Sequence, residues 1–129
     1  MDGLHLHRCV IRHRINNYNH SSILNTTHTL TVPTTTLVSL GGYVGPFSST
    51  ITNNTSSTYY MYLYVYTPGG SWLVLNSGQT ISAGQTLSAS NLYSYVPYAA
   101  QTGTYYYFEI TYDSSWNQYE YKYFTYTVN

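Results

Sequence analysis

The segment 58–67, TYYMYLYVYT, restricts the fold of this chain more than any other part of the sequence. Tyrosine alternates there with other apolar residues, and successive side chains of an extended chain point to opposite faces. The more apolar face would carry Tyr59, Met61, Leu63 and Val65. The opposite face would carry a row of phenols, those of Tyr60, Tyr62, Tyr64 and Tyr66. The alternation therefore predicts a β-strand with one side in a core and one side lined by tyrosine.

Strand-forming residues recur along the rest of the chain, and turns containing glycine and proline separate them. The clearest turn is the run PGG that starts at Pro68, directly after the tyrosine-lined strand. No amphipathic helical pattern occurs after residue 28. Further strand candidates are residues 47–52, 72–75, 80–95 (as one or two strands), 104–112 and 119–128. We therefore predict an all-β chain that folds as a single antiparallel β-sandwich of about seven strands.

The charged residues divide the chain, whose 129 residues suit one domain, into two parts. All 5 histidines and every arginine lie within the first 28 residues. Residues 1–28 are therefore predicted to form an irregular or disordered N-terminal segment, and residues 29–129 the β-sandwich. Within the sandwich, residues 29–40 are rich in threonine and interrupted by Pro33. Proline lacks an amide hydrogen, so this stretch is predicted to be a sheet edge or a linker and not a central strand.

Ionisable side chains are scarce and balanced, with 4 Lys plus Arg and 4 Asp plus Glu. A net charge of zero offers no field that attracts phosphates, so nucleic acid is not expected as a partner. No apolar stretch reaches the length of a membrane span. Proton transfer would have to come from Glu109, Asp113 or Glu120, and the chain after residue 28 has no histidine that could activate a nucleophile. The protein is therefore expected to be non-enzymatic and to need no cofactor.

Nitrogen and sulfur ligands cluster in the N-terminal run HLHRCVIRH, at His5, His7, Cys9 and His13. Thiolate and imidazole are the ligands that zinc prefers, but this spacing matches no familiar zinc finger. The alternative is a tail that binds no metal. This second interpretation is preferred, and no metal is expected.

Sequons for N-glycosylation point to an extracellular, cell-surface or virion location. They occur at Asn19, Asn25, Asn53 and Asn54. The first 28 residues contain no apolar run of the length that a signal peptide requires, which conflicts with export by that route. Two explanations stay open: a leader lost through a misassigned start, or exit from the cell by another route, such as release with a virus particle.

The order of motifs resembles that of immunoglobulin-like β-sandwich domains in prokaryotic extracellular proteins. The motifs are NNTSST, a Pro-Gly-Gly turn followed by Trp72, ISAGQTLSAS, VPYAAQTGTYYYFEITYD and YKYFTYTV. The resemblance covers residues 35–129. The richness in Tyr, Thr and Ser is most similar to filament, envelope and virion proteins of hyperthermophilic archaea and their viruses. The resemblance implies that the predicted strands at residues 58–67, 104–112 and 119–128 are neighbours in one sheet. It also implies that residues 29–40 could be exchanged with a neighbouring subunit.

Charged and apolar neighbours predict which tyrosines of the two C-terminal strands point outward. In residues 104–113 the charge of Glu109 predicts that Tyr105 and Tyr107 point outward, and the more apolar set inward, namely Tyr106, Phe108, Ile110 and Tyr112. In the last strand, Phe124, Tyr126 and Val128 suggest one inward set, but the charged Glu120 and Lys122 belong to the same set. The alternate residues Tyr119, Tyr121 and Tyr123 therefore point outward only if no bulge intervenes. The predicted interaction face is Tyr60, Tyr62, Tyr64, Tyr66, Tyr105, Tyr107, Tyr119, Tyr121 and Tyr123.

A continuous face of tyrosines is large enough to be an interaction surface. Tyrosine is a favoured interface residue, so we expect a structural protein that associates with itself or with another structural protein. Carbohydrate binding or adhesion through the same face is the alternative. The rows could also serve only to stiffen the sheet, because cross-strand aromatic pairs are stabilising.

Overall fold

The computed structural model describes residues 25–76 and 78–129, which contain nine β-strands and no helix. The strands are β1 (Thr26–Thr31), β2 (Leu37–Val38), β3 (Tyr43–Asn53), β4 (Tyr59–Tyr66), β5 (Trp72–Val74), β6 (Gln79–Ile81), β7 (Thr86–Tyr95), β8 (Gly103–Tyr112) and β9 (Gln118–Val128). Among these residues there is accordingly no helix with the length and apolar character needed to cross a membrane.

Two sheets pack face to face. Sheet A has the order β1-β3-β7, and sheet B has the order β2-β9-β8-β4-β5, with β6 also paired to β4. Every pairing is antiparallel except that of β2 with β9, which is parallel. Buried side chains from both sheets fill the space between them, among them Val44, Phe47, Val65, Phe124 and Val128. The predicted all-β sandwich is confirmed.

The division of strands between the sheets is that of the immunoglobulin fold, with strands A, B and E in one sheet and G, F, C and C′ in the other. In this correspondence β8 is strand F. Near its start the Tyr105 hydroxyl donates a hydrogen bond of 2.6 Å to the carbonyl of Gln101, four residues upstream. Such a tyrosine corner is characteristic of these sandwiches.

The predicted edge segment 29–40 contributes to both sheets. Its first residues end β1 at the edge of sheet A, and Leu37–Val38 form β2 at the edge of sheet B. Both strands pair within this chain, and exchange with a neighbour stays a prediction. Because β1 begins at Thr26, the sandwich starts before the predicted boundary at residue 29. Residues 1–24 of the predicted irregular segment lie outside the described residues.

Sheet A has fewer strands than sheet B and leaves β5 uncovered. A cleft of about 590 Å³ opens between β5 and the end of β7, and its lining includes Leu73, Leu75 and Val96. On the opposite side β1 contacts β9. The sandwich is therefore closed along the β1 side and open along the β5 side.

Five tyrosines belong to the inter-sheet core, namely Tyr59, Tyr105, Tyr107, Tyr119 and Tyr126. Tyr105 and Tyr126 are stacked with ring centroids 5.3 Å apart, and Tyr59 meets Tyr119 edge to face at 5.7 Å. Burial raises the pKa of Tyr59 and of Tyr107, the latter further through the charge of Glu109, and raises the pKa of Tyr126 to about 12. Each phenol is therefore harder to ionise in the folded chain than in the unfolded one.

These raised pKa values predict a loss of stability at alkaline pH. The buried phenols contribute fully to the free energy of unfolding below the pKa of about 10 that a phenol has in the unfolded chain. This contribution is lost as the pH rises through the pKa values of the folded protein, which for Tyr126 is about 12. The free energy of unfolding, measured by urea denaturation, should fall between about pH 9 and about pH 11. Tyr126→Phe should reduce this fall. Equal stability of the parent protein at both pH values would contradict the prediction.

Candidate interaction face

The outer surface of sheet B carries most of the aromatic side chains that do not lie between the sheets. We call this surface the outer aromatic face. Its members are Tyr60, Tyr62, Tyr64, Tyr66, Trp72, Tyr106, Phe108, Ile110, Tyr112, Trp116, Tyr121 and Tyr123. The register of β4, β8 and β9 aligns them in rows across the sheet, for example Tyr64 with Phe108 and Phe108 with Tyr123.

Strand β4 has the predicted division into two faces. Tyr59, Met61 and Val65 are buried between the sheets. The four phenols of the opposite parity lie on the outer aromatic face, where they are partly buried against neighbouring rings. The period-two pattern of β4 was therefore a reliable guide to side-chain direction.

On β8 the predicted direction was wrong, because Tyr105 and Tyr107 point into the inter-sheet core. The ring of Tyr107 lies 5.1 Å from that of Phe47 and 4.9 Å from that of Phe124. The alternate set, which the sequence assigned to the core, lies on the outer aromatic face, and Phe108, Ile110 and Tyr112 are buried there by surrounding rings. The more apolar set of β8 side chains thus points away from sheet A.

The error arose because the charge of Glu109 was taken to mark the outward side of β8. In the structure the carboxylate is buried between the sheets, with 1% of the residue exposed. Its Oε1 accepts a hydrogen bond from Ser49 Oγ at 2.6 Å and lies 2.7 Å from Nε2 of His28. Its Oε2 accepts a bond from the Tyr107 hydroxyl at 2.7 Å. A carboxylate can be buried when donors surround it in this way. Through these contacts the Glu109 carboxylate links β1 and β3 of sheet A to β8 of sheet B.

Tyr119 was also predicted on the interaction face, and it too lies in the core. Thr111 pairs with Glu120 and Tyr112 pairs with Gln118, so Tyr119 is an extra residue in the ladder. This bulge shifts the alternation of side chains at the start of β9, so that Tyr119 points inward. The outward prediction for Tyr119 required that no bulge intervene. Tyr121 and Tyr123 lie on the outer aromatic face as predicted.

Phe108 occupies the centre of the outer aromatic face. Its ring centroid lies 5.2 Å from that of Trp72, 5.4 Å from that of Tyr123 and 5.5 Å from that of Tyr121. Trp72 on β5 also contacts Tyr66 at 4.8 Å. The face is therefore a packed layer, with ring separations within the range of favourable aromatic pairs.

Trp116 reaches this face from the β8–β9 loop, and sequence reasoning missed its role. Its ring is stacked on Tyr60, at a centroid distance of 4.3 Å and an interplanar angle of 6°. Its backbone φ of 64° is unusual for a bulky residue. The Asp113 carboxylate holds the loop by accepting the amide hydrogens of Ser115 and Asn117, each at 2.9 Å. The only sequence signal for this contact is the presence of a tryptophan in an otherwise polar loop.

The rim of the face is accessible to a partner. Tyr106, Tyr123 and Trp116 are 37%, 49% and 55% exposed. None of the members carries a charge. The surface can therefore stack against rings, sugars or flat apolar groups, and its hydroxyls can donate and accept hydrogen bonds.

The structure separates the predicted glycosylation sites. Asn53 is fully buried, and its amide nitrogen donates to the carbonyls of Ser57 and Ile81, so this sequon was wrong as a glycan acceptor. Asn25 and Asn54 are exposed.

Asn19 and the weak metal candidates His5, His7, Cys9 and His13 lie outside the described residues. Within the described ranges, no three His, Cys, Asp or Glu side chains are grouped so that they could hold a metal ion.

Comparison with known proteins gives little further guidance. No protein-family model matches the chain, and no curated protein matches it. Among solved structures, it is similar to a family 123 glycoside hydrolase from Clostridium perfringens, at 8% identity and a TM-score of 0.44. The match covers 81% of this chain and 27% of the hydrolase chain, so this chain spans about a quarter of that protein.

Proposed function

We propose that this protein is a non-enzymatic structural subunit, extracellular or part of a virion, that associates with copies of itself through the outer aromatic face. The observation that carries this proposal is the uncharged ring layer on the solvent side of sheet B. An antiparallel sheet usually keeps one face polar and solvated. Here the outer face buries Phe108, Ile110 and Tyr112 and still presents three exposed rings at its rim.

Trp116 supports the role of the face in contacts. A bulky residue with positive φ costs free energy, and such residues persist where the surrounding structure or a function requires them. The braced loop holds a half-exposed indole in a fixed position over Tyr60. Rigid aromatic anchors of this kind carry much of the binding energy in protein interfaces.

Carbohydrate binding or adhesion is the second candidate. The indole of Trp116 offers a flat ring beside the polar side chain of Asn117, an arrangement that suits a sugar. The amide of Asn117 and the carboxylate of Asp113 lie 3.4 Å apart, and that carboxylate also accepts two amide hydrogens of the loop. Few polar groups are therefore left to orient a sugar, and self-association is preferred.

The test is the assembly state of the protein and of a double variant. The parent protein should form oligomers or filaments, detected by sedimentation and negative-stain microscopy. Tyr106→Ser with Tyr123→Ser should remove this state while leaving the far-ultraviolet circular dichroism unchanged, because both rings lie at the exposed rim. Ser82→Ala, at an exposed position between β6 and β7, is the control and should assemble like the parent.

A parent protein that is monomeric at all concentrations would refute self-association. A monomer whose tryptophan fluorescence changes on addition of oligosaccharides, with loss of the change in Trp116→Gly, would instead establish the carbohydrate-binding alternative. Glycine suits this substitution because it adopts the positive φ of the loop without strain.

A further inference from the structure

A second tyrosine surface lies on sheet A and is more exposed than the first. It consists of Tyr43, Tyr93, Tyr95 and Tyr98, whose exposed fractions range from 49% to 77%. We call it the sheet A tyrosine patch. Sequence reasoning did not assign these four residues to any surface.

The strands β3 and β7 position the patch. Tyr43 and Tyr95 are cross-strand partners, with ring centroids 5.3 Å apart, and Tyr43 also meets Tyr93 edge to face at 6.4 Å. The adjacent residues Val44 and Val96 are buried between the sheets. Because side-chain direction alternates along a strand, Tyr43 and Tyr95 point away from sheet B.

Tyr98 extends the patch beyond the end of β7. Its ring lies directly on the backbone of Gly41, where a β-carbon would come within 2.4 Å of the ring. Gly41 also has a φ of +82°, which disfavours any side chain. The glycine thus leaves room for the Tyr98 ring at a point two residues before β3 begins.

The two aromatic surfaces face opposite directions, since one lies on the outer side of sheet A and the other on the outer side of sheet B. A copy that docks through one surface therefore leaves the other free. Neither surface includes a charged side chain, so no like-charge repulsion opposes their contact. Both present phenols, which stack on rings and hydrogen-bond through their hydroxyls.

We propose that the sheet A tyrosine patch of one copy docks on the outer aromatic face of a second copy, so that subunits add head to tail. This inference rests on the proposed function and names the partner surface. A contact between two different surfaces does not close on itself as a symmetric dimer does, and it produces rings or open filaments.

The area of the patch is consistent with this contact. A buried tyrosine contributes on the order of 200 Å², so four rings that are about three-fifths exposed offer roughly 500 Å². Exposed neighbours of the patch, Pro46, Pro97 and Ala99, add to this area. A stable interface needs about 800 Å² per partner, which the patch and its surroundings approach.

The experiment mixes two variants that each lack one surface. The patch variant is Tyr93→Ser with Tyr95→Ser, and the face variant is Tyr106→Ser with Tyr123→Ser. Each alone should be monomeric by sedimentation and by native mass spectrometry. Mixed in equal amounts they should form a heterodimer and nothing larger, because one intact patch then meets one intact face. Circular dichroism of each variant checks that it is folded.

A patch variant that assembles like the parent would overturn this inference while leaving the proposed function intact. So would a mixture that contains only monomers although the parent assembles. If the double substitution in the patch prevents folding, Tyr98→Ala serves instead, since this ring is 77% exposed and lies outside the strands. It should weaken assembly of the parent at least tenfold, and an unchanged assembly would count against the patch.

Discussion

Replacing Glu109 with leucine is expected to destabilise the folded protein by about 3–5 kcal/mol, the usual cost of removing one partner from a buried polar cluster. The substitution leaves three groups without their acceptor: the imidazole of His28 and the hydroxyls of Ser49 and Tyr107. Each unsatisfied buried group costs about 1–3 kcal/mol. The measurement is urea denaturation at neutral pH.

The matched control is the double variant His28→Leu with Glu109→Leu. It should be no less stable than Glu109→Leu alone, because it removes the buried imidazole whose Nε2 the single substitution leaves without an acceptor. An apolar replacement of a buried pair is often close to neutral. A single variant within about 1 kcal/mol of the parent would show that the cluster does not hold the two sheets together.

Replacing Phe108 with alanine is the second substitution with a large expected effect. Phe108 is the hub of the outer aromatic face, so the variant should lose roughly 3 kcal/mol, near the lower end for a buried phenylalanine. If the outer rings were only a loose, solvated row, the loss would be much smaller. Thermal unfolding at concentrations where the protein is monomeric separates this effect from that of assembly.

Tyr93→Ala provides the comparison for Phe108→Ala. Tyr93 also lies on an outer face, but it is 55% exposed and has an edge-to-face contact with Tyr43. Its replacement should cost less than about 1 kcal/mol, the scale of a cross-strand pair. Equal losses in the two variants would contradict the description of the outer aromatic face as a packed layer.

Much of the fold could be predicted from local patterns. Strand β4 was assigned correctly to both faces because its alternation is uninterrupted and its inner set is flanked by no charge. The turn after it and the last two strands were also located, because glycine, proline and polar loops mark their ends. The short strands β2 and β6 fall within the predicted segments 29–40 and 80–95, but their bounds were not predicted, since two or three residues carry no periodic signal.

The candidate site was predicted in part. The outward tyrosines of β4 and two of those on β9 are on the outer aromatic face, but Tyr105, Tyr107 and Tyr119 are in the core. Both alternating sets of side chains on β8 are rich in aromatic residues, so the single charge of Glu109 decided which set was predicted to point outward. His28 offered a clue that was not used. It is the only histidine among the described residues, and its imidazole is the partner of Glu109.

The sequence by itself determined the secondary structure class, the inner face of β4 and the concentration of aromatic residues on long strands. These properties depend on local alternation and on turn residues, which act over a few positions. The tertiary structure alone decided which parity of β8 faces sheet A, because the burial of Glu109 depends on donors from β1 and β3 that lie far away in the chain. It also decided that Tyr119 turns inward, because a bulge arises from the pairing of β8 with β9.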